Sequence, residues 1–145
     1  MTITIINGPN LNQIGQREQK WYGTENFDDF LLLLKSKFKE LTIQYFQTNI
    51  EGEIINIIQQ EEAPSSYFII NAGAYSHTSI AIADAIKASE KKFIEIHISN
   101  IFQRESFRHH SYLGPVCESS IIGCGLEGYE LAIQYLILMN IKSTQ

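Results

Sequence analysis

The sequence contains little cysteine, little basic charge and no long hydrophobic run, and each shortage excludes a class of protein. Its two cysteines, Cys117 and Cys124, match no paired Cys or His spacing of a zinc site, so we expect two reduced, buried thiols. A total of 11 Lys and Arg against 16 Asp and Glu gives a net charge of −5, which argues against non-specific nucleic-acid binding. A local arginine cluster can still attract an anionic small molecule.

The hydropathy pattern indicates a globular protein rather than a membrane protein. No apolar stretch approaches the ~20 residues that a membrane helix needs. The first residues also lack the basic segment of a signal peptide, so we expect a cytoplasmic protein that does not enter a membrane. The 145 residues are 44% hydrophobic and 19% charged, which predicts one domain over residues 1–145 with an ordinary core.

Short runs of β-type residues alternate with longer helical patterns. The strand-like runs are Thr2–Ile6, Thr42–Gln47, Tyr67–Ile70, Phe93–His97 and Pro115–Ile121. A helical pattern follows each of the first three runs and the last. These patterns cover about 27–41, about 54 to before Pro64, 78–89 and 125–139. Asn26 is the predicted N-cap of the first helix. This alternation predicts an α/β, flavodoxin-like, doubly wound parallel sheet of five strands in the order 2-1-3-4-5, with helices on both faces.

Polar side chains gather where the predicted strands end. Asn10 follows the first strand, Asn71 ends the third, and Glu95 and His97 alternate with isoleucines inside the fourth. The next loop adds further cations and imidazoles, namely Arg104, Arg108, His109 and His110. Loops are polar in general, but polar residues inside a central strand need partners. Because ligands of such sheets bind beyond the carboxyl ends of the strands, we predict a functional cluster at this edge.

A long segment with no predicted helix or strand, residues 8–25, follows the first strand. Such segments are uncommon in compact domains and are often lids or binding loops. This segment carries Arg17 and Tyr22 between two possible hinges, Gly15 and Gly23. Spacing alone gives Tyr22 no function beyond that of a surface tyrosine.

Six segments in order resemble the type II 3-dehydroquinate dehydratases. They are Ile6–Asn12, Gly15–Gly23, Gln47–Glu53, Ile70–Ser79, Glu95–Asn100 and Arg104–Tyr112, followed by Gly123, Gly125 and Gly128-Tyr129 at the last helix. The resemblance covers nearly the whole chain, and the flavodoxin-like fold that it implies agrees with the alternation of elements. Two departures are Gln19, where the family usually has Pro, and Leu113-Gly114-Pro115, where Ile/Leu-Ser-Pro is more usual.

The resemblance implies an anti elimination of water from 3-dehydroquinate, giving 3-dehydroshikimate. This step serves either the shikimate pathway of aromatic amino acid biosynthesis or the breakdown of quinate. It makes Tyr22 the base that removes the proton next to the ketone, with Arg17 favouring the phenolate. His97 becomes the acid that protonates the departing hydroxyl, and Glu95 orients its imidazole. Asn10 is then the residue that positions a water against the developing enolate.

The substrate contacts are implied in the same way. Asn71 and the backbone of Ile98–Ser99 would bind the carboxylate of the substrate. His77 and Arg108 would bind its ring hydroxyls.

The resemblance also bears on the lid, on partners and on cofactors. Arg104 would approach Tyr22 from the other side of the lid, and Asp84 would complete the site, with a neighbouring subunit as one source. The family assembles as trimers packed into dodecamers, so we expect a homo-oligomer. Neither a Schiff-base lysine, a metal ion nor any other cofactor is implied.

Three other functions share the predicted fold. A module that binds FMN or another phosphate ligand needs a Ser/Thr- or Gly-rich loop after the first strand, where this chain has Asn7-Gly-Pro-Asn10. A phosphoacceptor receiver domain needs an acidic cluster there, and the sequence has none. A catalytically silent homologue used for binding or assembly remains the third alternative, although every expected reactive residue is present.

Overall fold

The structure, a computed structural model, describes residues 1–16, 20, 25–60 and 66–143. Its strands are β1 (Thr2–Asn7), β2 (Thr42–Gln47), β3 (Ser66–Asn71), β4 (Lys92–His97) and β5 (Ser119–Ile122). Its α-helices are α1 (Phe27–Lys37), α2 (Glu51–Gln60), α3 (Ile80–Ala88) and α4 (Glu127–Ser143). Short 3₁₀ turns are found at Leu11–Gln13, Gly73–His77, Ile101–Gln103, Ser106–Arg108 and Gly114–Val116.

The strands form one parallel sheet in the order β2-β1-β3-β4-β5, which confirms the predicted order. Because β1 lies between β2 and β3, Asn7 is level with Gln47 on one side and with Asn71 on the other. His97 ends β4 at the same edge, opposite Ile122 of β5. The carboxyl ends of neighbouring strands therefore bring the predicted polar residues together.

Helices cover both faces of the sheet, because successive side chains of a strand point to opposite faces. Ile3 and Ile5 lie in one core, with Leu34 of α1 and Ile133 of α4. Ile6 lies in the other core, against the isoleucines of α2 and α3. Burial on both faces explains why the central strands are nearly continuous apolar runs, and why a polar residue inside one of them needs a partner.

The first helix begins where the sequence predicts but ends before the predicted residue. The Asn26 side chain accepts a 2.9 Å hydrogen bond from the backbone N–H of Asp29, which confirms the N-cap. The predicted end near Leu41 is wrong, since α1 ends at Lys37 and Phe38 leaves the helical region at φ −113° and ψ 56°. Phe38 and Leu41 still pack against the core from the following turn, so the apolar spacing continues beyond the helix.

The fifth strand is shorter than the predicted Pro115–Ile121. Pro115 lies in the first turn of a 3₁₀ helix, and it has no N–H to donate to a sheet. Pairing with β4 begins only when the N–H of Glu118 donates to the carbonyl of Phe93 at 2.8 Å. The loop before this strand contains two further 3₁₀ turns, Ile101–Gln103 and Ser106–Arg108.

The two cysteines differ in exposure. Cys117 is half-buried, and burial, helped by the charges of Glu95 and Glu118, raises the pKa of its thiol to about 12. Cys124 is exposed, so the prediction of two buried thiols is wrong for this residue. The short loop that follows β5 leaves it at the surface. In the part of the chain that the structure describes, no helix is long and apolar enough to cross a membrane.

Candidate active site

A cavity of about 110 Å³ opens at the carboxyl edge of the sheet, above β1, β3 and β4. Its described lining residues are Pro9, Asn10, Leu11, Ile14, Asn71, Gly73, Ala74, His77, His97, Ile98, Ser99, Ile101, Arg104 and Arg108. Two of these side chains are guanidinium groups and none is a carboxylate. The cavity therefore suits an anionic ligand, although the chain as a whole is negatively charged.

The loop after β1 is fixed by hydrogen bonds from the neighbouring β2 loop. Asn10 has a left-handed backbone conformation at φ 67°, which asparagine tolerates better than most residues. The Oδ1 atom of Asn49 accepts from the backbone N–H of Asn10 at 2.9 Å and from Nε2 of Gln47 at 3.1 Å. These bonds hold Asn10 at the mouth of the cavity.

Gly8 allows the β1 and β3 loops to approach each other. Its N–H donates to the carbonyl of Asn71 at 2.8 Å. A Cβ atom on Gly8 would lie 2.5 Å from the carbonyl oxygen of Ala72, which is closer than van der Waals contact permits. A glycine is therefore required where the two loops that line the cavity meet.

Asn71 is held from below by a buried network. Its Nδ2 donates to the hydroxyl of Tyr129 at 3.1 Å, and that hydroxyl donates to Oδ1 of Asn7 at 2.7 Å. The Oδ1 atom of Asn71 accepts from the backbone N–H of Gly73 at 3.2 Å. These contacts set the orientation of the amide, which leaves one Nδ2 hydrogen of Asn71 for a ligand.

Glu95 and His97 form a buried pair at the floor of the cavity. Their Oε1 and Nε2 atoms are 3.0 Å apart, and their side chains are 1% and 5% exposed. The contact is an ion pair by distance, but its angle falls short of a well-aligned hydrogen bond. Burial alone would raise the pKa of Glu95, but the contact with His97 and the hydroxyls of Ser111 and Ser120 outweigh burial and lower it. Glu95 is therefore ionised at neutral pH.

His77 lies beside this pair with a defined tautomer. Its ring stacks on that of His97, with centroids 5.6 Å apart and planes at 23°. Burial lowers the pKa of His77, and the charges of His97 and Arg108 lower it further, so the ring is neutral at neutral pH. Nδ1 lies 2.7 Å from the carbonyl of His110 and must carry the proton, which leaves Nε2 as an acceptor.

The two arginines enter the cavity from the loop after β4. The side chain of Arg104 is 4% exposed, and its Nη1 donates to the hydroxyl of Ser99 at 3.4 Å. Arg108 donates from Nε to Oε2 of Glu105 at 2.9 Å and stacks on Phe107 at 5.1 Å. Glu105 is exposed, so it orients these cations without adding a carboxylate to the cavity.

Most of the residues predicted for the site lie together in this cavity. They are Asn10, Asn71, His77, His97, Ile98, Ser99, Arg104 and Arg108. Glu95 lies directly below His97. Asp84 is exposed on α3 and does not line the cavity. Arg17 and Tyr22 lie outside the described residues.

Sequence reasoning missed the apolar wall and the supporting residues. The wall consists of Pro9, Leu11, Ile14, Ala74 and Ile101, and apolar residues of a loop carry no signal that separates them from the core. Tyr129, Ser111 and Ser120 support the polar residues from behind. Gly128-Tyr129 belonged to the resemblance, but its hydrogen-bond partners are too distant in sequence to be predicted.

Residues 1–137 match the model of the family described as Dehydroquinase class II. The chain belongs to this family. It is 49% identical over 144 residues to a 3-dehydroquinate dehydratase of Lachnoclostridium phytofermentans, covering 97% of this chain and 99% of that protein. It is 45% identical over 144 residues to a 3-dehydroquinate dehydratase of Bartonella tribocorum, covering 97% of each. The crystal structure of the type II dehydroquinase from Butyrivibrio crossotus superposes with a TM-score of 0.90 at 44% identity, covering 94% of this chain and 97% of that one.

Among the residues that the structure describes, no group of three or more His, Cys, Asp or Glu side chains has the arrangement of a metal site.

Proposed function

We propose that the protein is a 3-dehydroquinate dehydratase, a hydro-lyase that forms 3-dehydroshikimate by anti elimination through an enolate. The observation that carries this proposal is the buried Glu95–His97 pair, which forms the floor of a cavity lined by two arginines. In this arrangement a carboxylate holds a general acid, and the cavity above it can bind an anion. Both features fit an enzyme that removes water from a hydroxylated carboxylic acid. The relatives named as 3-dehydroquinate dehydratases support the same substrate.

His97 is the proposed acid. With Nε2 against Glu95, its Nδ1 is the ring nitrogen left to donate a proton to the departing hydroxyl. The charged imidazolium is favoured by the ionised Glu95 beneath it. When the proton leaves, the ring becomes neutral and Glu95 keeps its charge.

Tyr22 is the proposed base, with Arg17 as its partner. A free phenol has a pKa of about 10, so only about 0.1% is ionised at neutral pH. A nearby guanidinium favours the phenolate, and a pKa lowered by two units corresponds to about 2.7 kcal/mol of differential stabilisation. Arginine suits this role because it keeps its charge next to a base. Arg104, which lines the cavity, is the second cation for the same purpose.

The proposed substrate pose uses hydrogen-bonding groups of the residues that line the cavity. Asn71 and the backbone N–H groups of Ile98 and Ser99 would bind the carboxylate, and Asn10 would position a water against the enolate. Nε2 of His77 is an acceptor, so it would receive a hydrogen bond from a ring hydroxyl.

Arg108 would donate to another hydroxyl or to the carboxylate of the substrate. No lysine is among the described residues that line the cavity, which supports a route without an imine.

We also propose a homo-oligomer, with trimers packed into dodecamers, in which Asp84 completes the site of a neighbouring subunit. Asp84 is exposed on α3 and does not line the cavity of its own chain. The same helix exposes Ile80, which is 59% accessible. Light scattering of the purified protein tests the assembly.

The decisive test follows ultraviolet absorbance after the protein is mixed with 3-dehydroquinate, because the product is a conjugated enone. A parallel reaction contains borohydride, which traps imines. We expect the absorbance to rise in both tubes. Loss of activity in borohydride would contradict the mechanism, and no rise in either tube would contradict the function. A yellow colour from bound flavin would favour the flavodoxin-like binding module instead.

A further inference from the structure

We propose that Ser111, assisted by Ser120, is a positioning residue that holds Glu95 against His97 and keeps it a hydrogen-bond acceptor. The inference rests on the role of His97 under the proposed function, and it assigns a role to two serines of the loop and strand that follow the site. Neither serine lines the cavity, so each acts through Glu95 and not on the substrate.

The hydrogen bonds that Ser111 accepts leave only one direction in which its hydroxyl proton can point. Its Oγ accepts from the backbone N–H groups of Leu113 and Gly114, both at 3.1 Å. A hydroxyl has two lone pairs and one proton, so these two donors occupy its accepting capacity. The remaining contact, 2.5 Å to Oε1 of Glu95, must therefore be a bond that Ser111 donates.

Ser120 supplies the equivalent bond to the other carboxylate oxygen. Its hydroxyl donates to Oε2 of Glu95 at 2.8 Å from the edge strand β5. The space for this contact depends on Gly114, because a Cβ atom there would lie 3.1 Å from Oε2 of Glu95 and 3.3 Å from Oγ of Ser120. The two serines thus give each oxygen of Glu95 one neutral donor on the side away from the cavity.

This arrangement fixes both the charge and the direction of Glu95. Ser111 cannot accept a hydrogen from a protonated Glu95, because its lone pairs are occupied, and the bonds that both serines donate stabilise the carboxylate form. They also hold Oε1 at 3.0 Å from Nε2 of His97. The orientation of the carboxylate sets the geometry of this contact. Loss of either hydroxyl would let the carboxylate turn, so that its oxygen no longer stays against Nε2 of His97.

Other charged and titratable groups face this pair and remain in every variant. His77 stacks on His97, and Arg104 and Arg108 reach the same cavity from the loop after β4. The thiol of Cys117 lies within the electrostatic influence of Glu95 on the side of the fifth strand. A change that appears on removing the serine hydroxyls is therefore not explained by loss of these groups.

The test compares Ser111→Ala, Ser111→Thr and Ser120→Ala with the unmodified protein. Turnover of 3-dehydroquinate is measured across pH, and the ring proton of His97 is titrated by NMR, with His97→Gln used to assign it. Without a serine hydroxyl the carboxylate can turn away from His97, and the imidazolium then loses its nearby opposite charge. We therefore expect both the alkaline limb of kcat and the titration midpoint to move by roughly 0.5 to 1 pH unit toward acid. We expect kcat at neutral pH to fall several-fold and KM to change less, and Ser111→Thr to restore the unmodified behaviour.

Ser119→Ala is the matched control, because Ser119 precedes Ser120 on the same strand and points to the opposite face. We expect its profile to be that of the unmodified protein. A folded Ser111→Ala whose rate limb and His97 titration both stay unmoved would overturn the proposal, and if this variant does not fold, Ser120→Ala decides in the same way. The NMR titration needs no turnover, so absence of dehydratase activity in the unmodified protein would contradict the proposed function alone.

Discussion

The hydroxyl of Tyr129, on helix α4, donates a 2.7 Å hydrogen bond to Oδ1 of Asn7 at the carboxyl end of β1. Both residues are fully buried, and the same hydroxyl accepts from Asn71 of β3 at 3.1 Å. One phenol therefore joins two strand ends that lie under the cavity. The last helix takes part in the site through this hydroxyl although it contributes no residue to the lining.

Replacing this hydroxyl should weaken both the fold and substrate binding. Tyr129→Phe leaves Oδ1 of Asn7 and one Nδ2 hydrogen of Asn71 without a partner, at a cost of about 1–3 kcal/mol in the free energy of unfolding. We expect KM for 3-dehydroquinate to rise more than kcat falls, because Asn71 is proposed to bind the substrate. Urea denaturation and steady-state kinetics measure the two effects. Tyr135→Phe, on an exposed tyrosine of the same helix, is the control, and equal losses in both variants would contradict the role of Tyr129.

Removal of the proposed acid should reduce the rate without unfolding the protein. We expect His97→Ala to lower kcat by about 10² to 10⁴, the range for loss of a general acid. His110→Ala is the control, since His110 holds His77 through its backbone carbonyl, which the substitution retains. A His97→Ala enzyme with nearly full turnover would remove His97 from the mechanism.

The proposed base makes a separate prediction. Tyr22→Phe should abolish turnover while the protein still binds the product, because a phenyl ring keeps the shape of the side chain but has no proton-accepting oxygen. Arg17→Lys should also reduce kcat, since lysine can lose its proton to a neighbouring base. Kinetics and calorimetric titration with 3-dehydroshikimate separate chemistry from binding. Normal turnover by Tyr22→Phe would exclude Tyr22 as the base.

The fold was largely predictable because its signals are local. Alternation of apolar runs and helical spacing predicted the sheet order, and Asn26 was identified as a cap because Asp29 follows it three positions later. The end of α1 was not predictable, because Phe38 and Leu41 continue the apolar spacing from a turn. The start of β5 was placed too early because apolar residues around Pro115 resemble a strand until the missing N–H is considered.

The site was predictable in its members but not in its supports. Glu95 and His97 are polar residues in a buried strand, and this alone marks them out. Their partners come from far along the chain, since Ser111 lies 16 residues and Ser120 lies 25 residues after Glu95. A serine in a loop or an edge strand has no local pattern that predicts such a contact.

The lowered pKa of Glu95 predicts how the stability of the fold depends on pH. A carboxyl whose pKa is lower in the folded protein stabilises it above the ordinary pKa of glutamate, and this contribution is lost as the pH falls through the lowered value. We therefore expect the unmodified protein to have a larger unfolding free energy than Glu95→Gln at neutral pH. This difference in unfolding free energy should become smaller below about pH 5. Urea denaturation of both proteins between pH 7 and pH 4 measures it. A difference that grows toward acid would mean that Glu95 is protonated in the fold.

Gly8 and Gly52 make opposite predictions for the same substitution. In Gly8→Ala the new methyl group would lie 2.5 Å from the carbonyl oxygen of Ala72, so the β1 and β3 loops must separate. We expect a loss of about 1–3 kcal/mol in unfolding free energy, as for other overpacked sites, together with a lower kcat because Asn10 and Asn71 move apart. Gly52 lies in the first turn of α2 with nothing within 4 Å of an added Cβ, so Gly52→Ala should stabilise by up to about 1 kcal/mol and leave kcat unchanged. Thermal unfolding and kinetics of the two variants check both signs, and an active, stable Gly8→Ala protein would show that the two loops do not need their close contact.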